Sequence, residues 1–326
     1  MMQSFIVADL TSGVDRVVLY DERGQGKGAD ALCSLRLRHH LVIAKQESPP
    51  EILFVVSDNC VGQNKSQCVF QFYAALSLLF YKKLFWYSCY PGIPDHVVAH
   101  CRNATRKQNV YDPATLVKLW SSVRSVKAEF LNHTDADRPF YTGWEPLLSK
   151  YVKKMPPQYT QNYFFEIDSG ICTMRHLCST PDAESTTIAL VHPENVSGVR
   201  RALIKELWGD DIESLENMSI TALKLARTPN ITLANKKLES LAKKYFSIPP
   251  EFLPYYPVVV TDLRALSEDD DKLPARSHKK DKWYDGVKLK VATGVTPLKM
   301  VGRPKKQARA VPNQPSILTF FPSKGL

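Results

Sequence analysis

The apolar and polar positions of the first hundred residues alternate between short β-rich runs and longer stretches of helical period. Strands are predicted over Phe5–Leu10, Arg16–Asp21, Glu51–Ser57 and Leu84–Tyr90, and helices over Ala29–Lys45, Lys65–Tyr81 and Asp95–Gln108. Strands that alternate with crossover helices predict an α/β layer fold.

Two apolar runs in this part of the chain suggest how the predicted strands are buried. The continuous run Ile52–Val56 is typical of a strand covered on both faces. We interpret the aromatic residues between Phe80 and Tyr90 as core, not as a platform on which bases stack.

From Pro113 onward the pattern becomes more helical. Helices are predicted over Pro113–Arg124, Trp144–Lys153, Val196–Trp208 and Leu233–Tyr245, with one β-rich patch at Tyr163–Ile167. We therefore expect three parts: an α/β domain over residues 1–110, a mainly helical region over 111–262, and a disordered tail over 263–326.

The net charge of +10 is concentrated in the tail. Residues 276–326 hold 12 Lys and Arg against 2 Asp and Glu, and the rest of the chain balances 31 against 31. Such asymmetry indicates a polyanionic partner, for which DNA is the natural candidate.

No segment reaches the ~18–20 uninterrupted apolar residues of a membrane span, so no membrane partner is expected. The seven cysteines have loose spacings and are interpreted as reduced thiols.

The last residues of the chain carry a short motif, Gln314-Pro-Ser-Ile317-Leu-Thr-Phe320-Phe321. Ile317, Phe320 and Phe321 are spaced i, i+3 and i+4, so one tight helical turn places all three on one side as an apolar plug. Gln314 lies one turn earlier, where it can hydrogen-bond at the edge of a pocket. The motif resembles the peptide that binds proliferating cell nuclear antigen (PCNA), the eukaryotic sliding clamp. The alternative is a chance match in a tail that folds back on the body.

A basic segment, Gly302–Arg309, lies just before this peptide, and its charges are Arg303, Lys305, Lys306 and Arg309. It resembles a nuclear-import signal, which implies an import receptor as partner and the nucleus as location. Its Gly-Arg-Pro core also resembles a minor-groove AT-hook, since Arg suits a narrow A·T groove. The third alternative is a solvated run of charge.

An acidic motif follows the apolar strand: Asp58-Asn-Cys-Val-Gly-Gln-Asn64-Lys65. It places a carboxylate at the end of a strand, where α/β folds build their sites. The motif resembles the signature of transposable-element proteins with an RNase H-like, DDE-type integrase domain, and the similarity extends over roughly Val17–His100. The alternative is that Asp58 and Asn59 only cap the following helix.

The resemblance implies a mixed sheet with flanking helices and a site in which acidic residues hold two Mg²⁺ ions. Asp58 matches the second-strand carboxylate, and Asp95 lies where the acid after the next strand belongs. Two departures stand out: the family's histidine after Pro91-Gly92 is absent, and the chain begins so close to the motif that the first strand is expected to be missing.

We therefore expect a transposon-derived nuclear protein that binds DNA and PCNA, is catalytically inactive and has no cofactor. One alternative is an active nuclease or transposase that uses Mg²⁺ at Asp58 and Asp95. The other is a non-catalytic interaction protein whose body has no nucleic-acid role.

Overall fold

The computed structural model describes residues 2–257 except residues 59, 61, 90–92, 107, 178–183, 211–213 and 243. Within these residues the chain forms eight strands and seven α-helices. The strands are β1 (Met2–Asp9), β2 (Val14–Asp21), β3 (Ile52–Asp58), β4 (Lys83–Cys89), β5 (Val126–Leu131), β6 (Phe164–Asp168), β7 (Ile171–Arg175) and β8 (Thr186–Ala189). The helices are α1 (Ala29–Ala44), α2 (Gln67–Leu79), α3 (Ile93–Thr105), α4 (Pro113–Ser121), α5 (Trp144–Tyr151), α6 (Val196–Trp208) and α7 (Asn235–Ala242).

A three-stranded sheet has the order β1-β2-β5, with β1 antiparallel and β5 parallel to β2. The β1–β2 turn closes because Gly13 takes a left-handed φ of +67° and the Asp9 carboxylate accepts the Thr11 and Ser12 amides. Successive residues of β2 point to opposite faces. Val17 and Leu19 pack with residues of α3 and α4, and Val18 and Tyr20 pack with Leu35 of α1.

A five-stranded sheet has the order β3-β4-β6-β7-β8. Strands β3 and β4 are parallel and every other neighbouring pair is antiparallel. Helix α2 packs on this sheet, and all of its residues except Gln67 are buried. A helix that is apolar on every side belongs in the interior of a protein, and here α1, α5 and α6 belong to the same hydrophobic core.

The coarse prediction of a mixed α/β fold is confirmed, but the expected division at residue 110 is not seen. The region 111–262 contributes β5 to β8, and strands pair across the expected boundary as β2 with β5 and β4 with β6. The strands β7 and β8 are only five and four residues long and mix apolar with polar residues, so their pairing partners stabilise them more than their own pattern does. The expected tail, residues 263–326, lies outside the described residues.

The expectation that Ile52–Val56 is covered on both faces is wrong within the described structure. Leu53 and Val55 pack against the core, whereas Ile52, Phe54 and Val56 are 51%, 57% and 47% exposed. The cause is that β3 is the outer strand of its sheet and α2 covers one face only. Among the described helices, none is long and apolar enough to cross a membrane.

Phe70 of α2 is the centre of the aromatic core and gives a test of the fold. Its ring lies 4.4 Å from Trp86, 4.7 Å from Phe165 and 5.0 Å from Tyr159, measured between centroids, and it is fully buried. We expect Phe70→Ala to lower the free energy of unfolding by ~3–5 kcal/mol, because the lost contacts leave a cavity.

Urea denaturation followed by circular dichroism measures this change. Leu10→Ala is the matched control, since Leu10 is 57% exposed in the β1–β2 turn and its loss is expected to cost less than ~0.5 kcal/mol. Equal effects of the two substitutions would show that α2 is not packed as described.

Candidate functional site

Asp58 is the last residue of β3, as the sequence predicted, and its register partner on β4 is Cys89. Because β3 and β4 are parallel, their carboxyl ends meet at the same edge of the sheet, where α/β proteins place ligand sites. The loop that follows β3 therefore lies at this edge of the sheet.

The loop is folded back on Asp58 by its own polar groups. The Asn64 side-chain amide donates to Asp58 Oδ1, and the Cys60 amide approaches the same oxygen at 3.4 Å. The Lys65 amide donates to the Cys60 carbonyl at 3.0 Å, which closes the loop.

The interpretation of Asp58 as a helix cap does not fit this geometry. The N-cap of α2 is Ser66, whose hydroxyl accepts the Val69 amide. Asp58 instead accepts hydrogen bonds from the loop that precedes the cap. Asn59, the other residue of that interpretation, lies outside the described residues.

Arg36 of α1 holds the loop from the side of the core. It is only 8% exposed, its Nη2 donates to Asn64 Oδ1 at 2.6 Å, and its guanidinium lies 5.2 Å from the centre of the Tyr73 ring. An unbroken chain of polar contacts thus runs from Arg36 through Asn64 to Asp58. Nothing in the sequence singles out Arg36, because Arg38, His39 and His40 follow it in the same helix.

Lys65 ties the same loop to residues 159–163. Its side chain is fully buried, and its Nζ donates to the carbonyls of Thr160 at 2.9 Å and Asn162 at 2.6 Å. The ammonium also lies 4.7 Å from the centre of the Tyr163 ring. Burial lowers the pKa of Lys65 to about 8, because removal from water disfavours the charged form.

Asp95, the second predicted acid, lies exposed in the first turn of α3, which follows β4 along the chain. A two-metal site needs several carboxylates around the ions. Among the described residues, no three His, Cys, Asp or Glu side chains lie close enough together to share a metal ion. One oxygen of Asp58 is also already engaged by Asn64. The donor set of the described residues therefore does not fit the pair of Mg²⁺ ions that the resemblance implies.

The predicted tail sites lie outside the described residues. These are the clamp-peptide residues Gln314, Ile317, Phe320 and Phe321 and the basic residues Arg303, Lys305, Lys306 and Arg309. No protein-family model, curated protein or solved structure matches the chain. Functional inference therefore rests on the residues themselves.

The buried Lys65 predicts a pH dependence of stability. The ordinary pKa of a lysine, 10.5, lies above the folded value of about 8, so between these values the unfolded chain binds the extra proton. The contribution of Lys65 to the free energy of unfolding therefore rises as the pH is raised from about 8 to 10.5, and it is lost again as the pH is lowered through the same range. We expect the free energy of unfolding of the wild type to rise by about 2 kcal/mol relative to Lys65→Met between about pH 7.5 and about pH 9.5.

Urea denaturation of both proteins at the two pH values measures this difference. Both pH values lie below 10, because burial raises the pKa of Tyr20 from 10.0 to about 12. Above pH 10 the tyrosines of the unfolded chain ionise before the buried ones, which lowers the free energy of unfolding. Parallel pH profiles of the two proteins would rule out the shifted lysine.

Proposed function

We propose that this protein is a nuclear, DNA-associated protein that binds the sliding clamp PCNA through its C-terminal tail. The observation that carries the proposal is the motif Gln314–Phe321, which fits the clamp-binding pattern at every position. An apolar plug inside a polar, basic tail has no core of its own in that segment, and binding to a partner is the natural way to bury it.

The energy of such a complex comes mainly from three side chains. A few buried aromatic residues usually dominate an interface, and Ile317, Phe320 and Phe321 are the apolar anchors here. Pro322 ends the turn directly after them. Leu318 falls between the anchors and points away from the plug in a helical turn.

The basic segment, with Arg303, Lys305, Lys306 and Arg309, supplies the second part of the proposal. Its charge suits DNA phosphates and a nuclear-import receptor, and the body of the chain is electrically neutral. The tail thus holds all of the net positive charge next to the clamp peptide. Contact with the clamp and contact with DNA would then come from the same stretch of chain.

For the body we propose a transposon-derived, RNase H-like domain. Two features support this: Asp58 ends a strand that is parallel to its neighbour, and the order is an antiparallel pair followed by helix, strand, helix and strand. The strands β1 and β3 are each the outer strand of their sheet, which is where a further strand would join.

We further propose that the body is catalytically inactive. Asp58 is held by the Asn64 amide inside a closed loop, and Asp95 lies exposed on α3. The alternatives are a Mg²⁺-dependent nuclease or transposase at these acids, and an interaction protein whose body has no nucleic-acid role.

Clamp binding is tested with a synthetic peptide spanning residues 303–326, titrated into purified PCNA by calorimetry. We expect Phe320→Ala with Phe321→Ala to weaken binding by more than ~100-fold, because two aromatic anchors worth at least ~3 kcal/mol are removed. Leu318→Ala is the matched control and should change the affinity little. A wild-type peptide that does not bind at tens of micromolar, or a double variant that binds equally well, would show that the match is chance.

Catalysis is tested separately on the full chain with supercoiled DNA and Mg²⁺. We expect no strand cleavage by the wild type and none by Asp58→Asn, with identical circular dichroism spectra. Mg²⁺-dependent nicking that disappears in Asp58→Asn would instead establish the active enzyme, whatever the outcome of the clamp titration.

A further inference from the structure

A groove lies between helix α1 and the side of the three-stranded sheet that faces this helix. Residues paired between strands, or two apart along one strand, share a face of a sheet. Helix α1 forms the opposite wall with residues between Leu35 and Val42, and we call this space the α1 groove. Its sheet wall consists of two rows across β1, β2 and β5, namely Val7, Arg16 and Lys127, and beside them Phe5, Val18 and Glu129.

The floor of the α1 groove is apolar. Val18 and Leu35 are buried in one small cluster, and Phe5 packs against this cluster. The groove has a volume of about 270 Å³, just below the roughly 300–1,000 Å³ that is typical of small-molecule sites. Its size therefore favours a small ligand with an apolar body over a macromolecular partner.

The charges of the α1 groove are not balanced, because three basic side chains line it and only one acidic side chain does. Arg38 and Glu129 neutralise each other in a two-point ion pair, in which Nη2 of Arg38 lies 2.8 Å from Oε2 of Glu129. Arg16 and Lys127 are neighbours in the register, and within the described part of the chain neither side chain has an ion pair or a hydrogen bond. Two unpaired positive charges thus lie side by side next to the apolar floor, which complements an anion.

His39 of α1 lines the same groove and adds no charge to it near pH 7. Burial and the nearby Arg16 guanidinium lower the pKa of His39 to about 4, although the Asp9 carboxylate acts in the opposite direction. The neutral imidazole on one wall and the Phe5 ring on the other are both ring side chains. Rings favour stacked or edge-to-face contacts, so an aromatic ligand body suits the space between these walls.

We propose that the α1 groove binds a small aromatic carboxylate, with its ring against Phe5 and Val18 and its anionic group on Arg16 and Lys127. Each of the two bases donates a charge-assisted hydrogen bond to the carboxylate, which is a stronger bond than one between neutral groups. The proposal concerns the folded body and does not depend on clamp binding or on DNA.

Titration of the full chain with 2-naphthoate at pH 7, followed by NMR, tests the proposal. We expect a saturable change of the amide signals of Phe5, Val18 and His39 with a Kd of about 1 mM or below, and no change at Leu10 in the β1–β2 turn. The matched ligand is 2-naphthylmethanol, which has the same ring and a neutral hydroxymethyl group. It should bind at least about tenfold more weakly, because it cannot accept charge-assisted hydrogen bonds as a carboxylate does.

A double variant tests the same site from the side of the protein. Arg16→Gln with Lys127→Gln should weaken binding of 2-naphthoate at least about tenfold, because both unpaired bases are removed. The matched control is Arg102→Gln with Lys118→Gln, since these exposed bases belong to α3 and α4, the helices that pack on the opposite face of the same sheet. The control should bind 2-naphthoate like the wild type.

Three results would overturn the proposal. The first is the absence of any saturable signal change in the wild type up to about 10 mM 2-naphthoate, well above the expected Kd. The second is equal binding of 2-naphthoate and 2-naphthylmethanol by the wild type, a comparison that needs no variant. The third is equal affinity of the two double variants for 2-naphthoate.

Discussion

Helix α2 has no polar side, and that constraint organises the larger part of the described body. Twelve of its thirteen residues are buried, so the chain has to surround it with a sheet and other helices. Phe70 illustrates the arrangement, because its ring contacts residues from β4, β6 and the turn at Tyr159 at the same time. Strands distant in sequence are thus brought into one sheet by the need to cover one helix.

The same constraint fixes the loop that carries Asp58. This loop joins β3 to α2, so its far end is anchored wherever α2 lies. Lys65, directly before the helix cap, donates to two carbonyls of the segment that leads into β6, and Arg36 holds Asn64 from α1. The acidic motif is therefore part of the structural framework: Asn64 donates to Asp58, and Lys65 donates to the segment that precedes β6.

Elements with a strong period and a capping residue could be predicted from the sequence. Helix α6 has the predicted bounds, and α4 begins at Pro113, where the Asp112 carboxylate accepts the Thr115 amide.

Strands β7 and β8 were missed because four or five residues of mixed character carry little local signal and depend on distant partners. Strand β3 was predicted, but the exposure of one of its faces was not, because an apolar run shows that a strand can be buried and only the sheet order shows whether it is. Lysine is seldom buried, so the role of Lys65 had no signal beyond the motif itself.

We propose that function is divided between a neutral folded body and a basic tail that contacts the clamp and DNA. The most direct test is retention of purified full-length chain on immobilised PCNA, compared with a chain that lacks the last thirteen residues, 314–326. The account predicts that the full-length chain is retained and that the shortened chain is lost to background although it keeps the basic segment. Retention of both chains to the same extent would contradict it, because the clamp would then be recognised by some other part of the molecule.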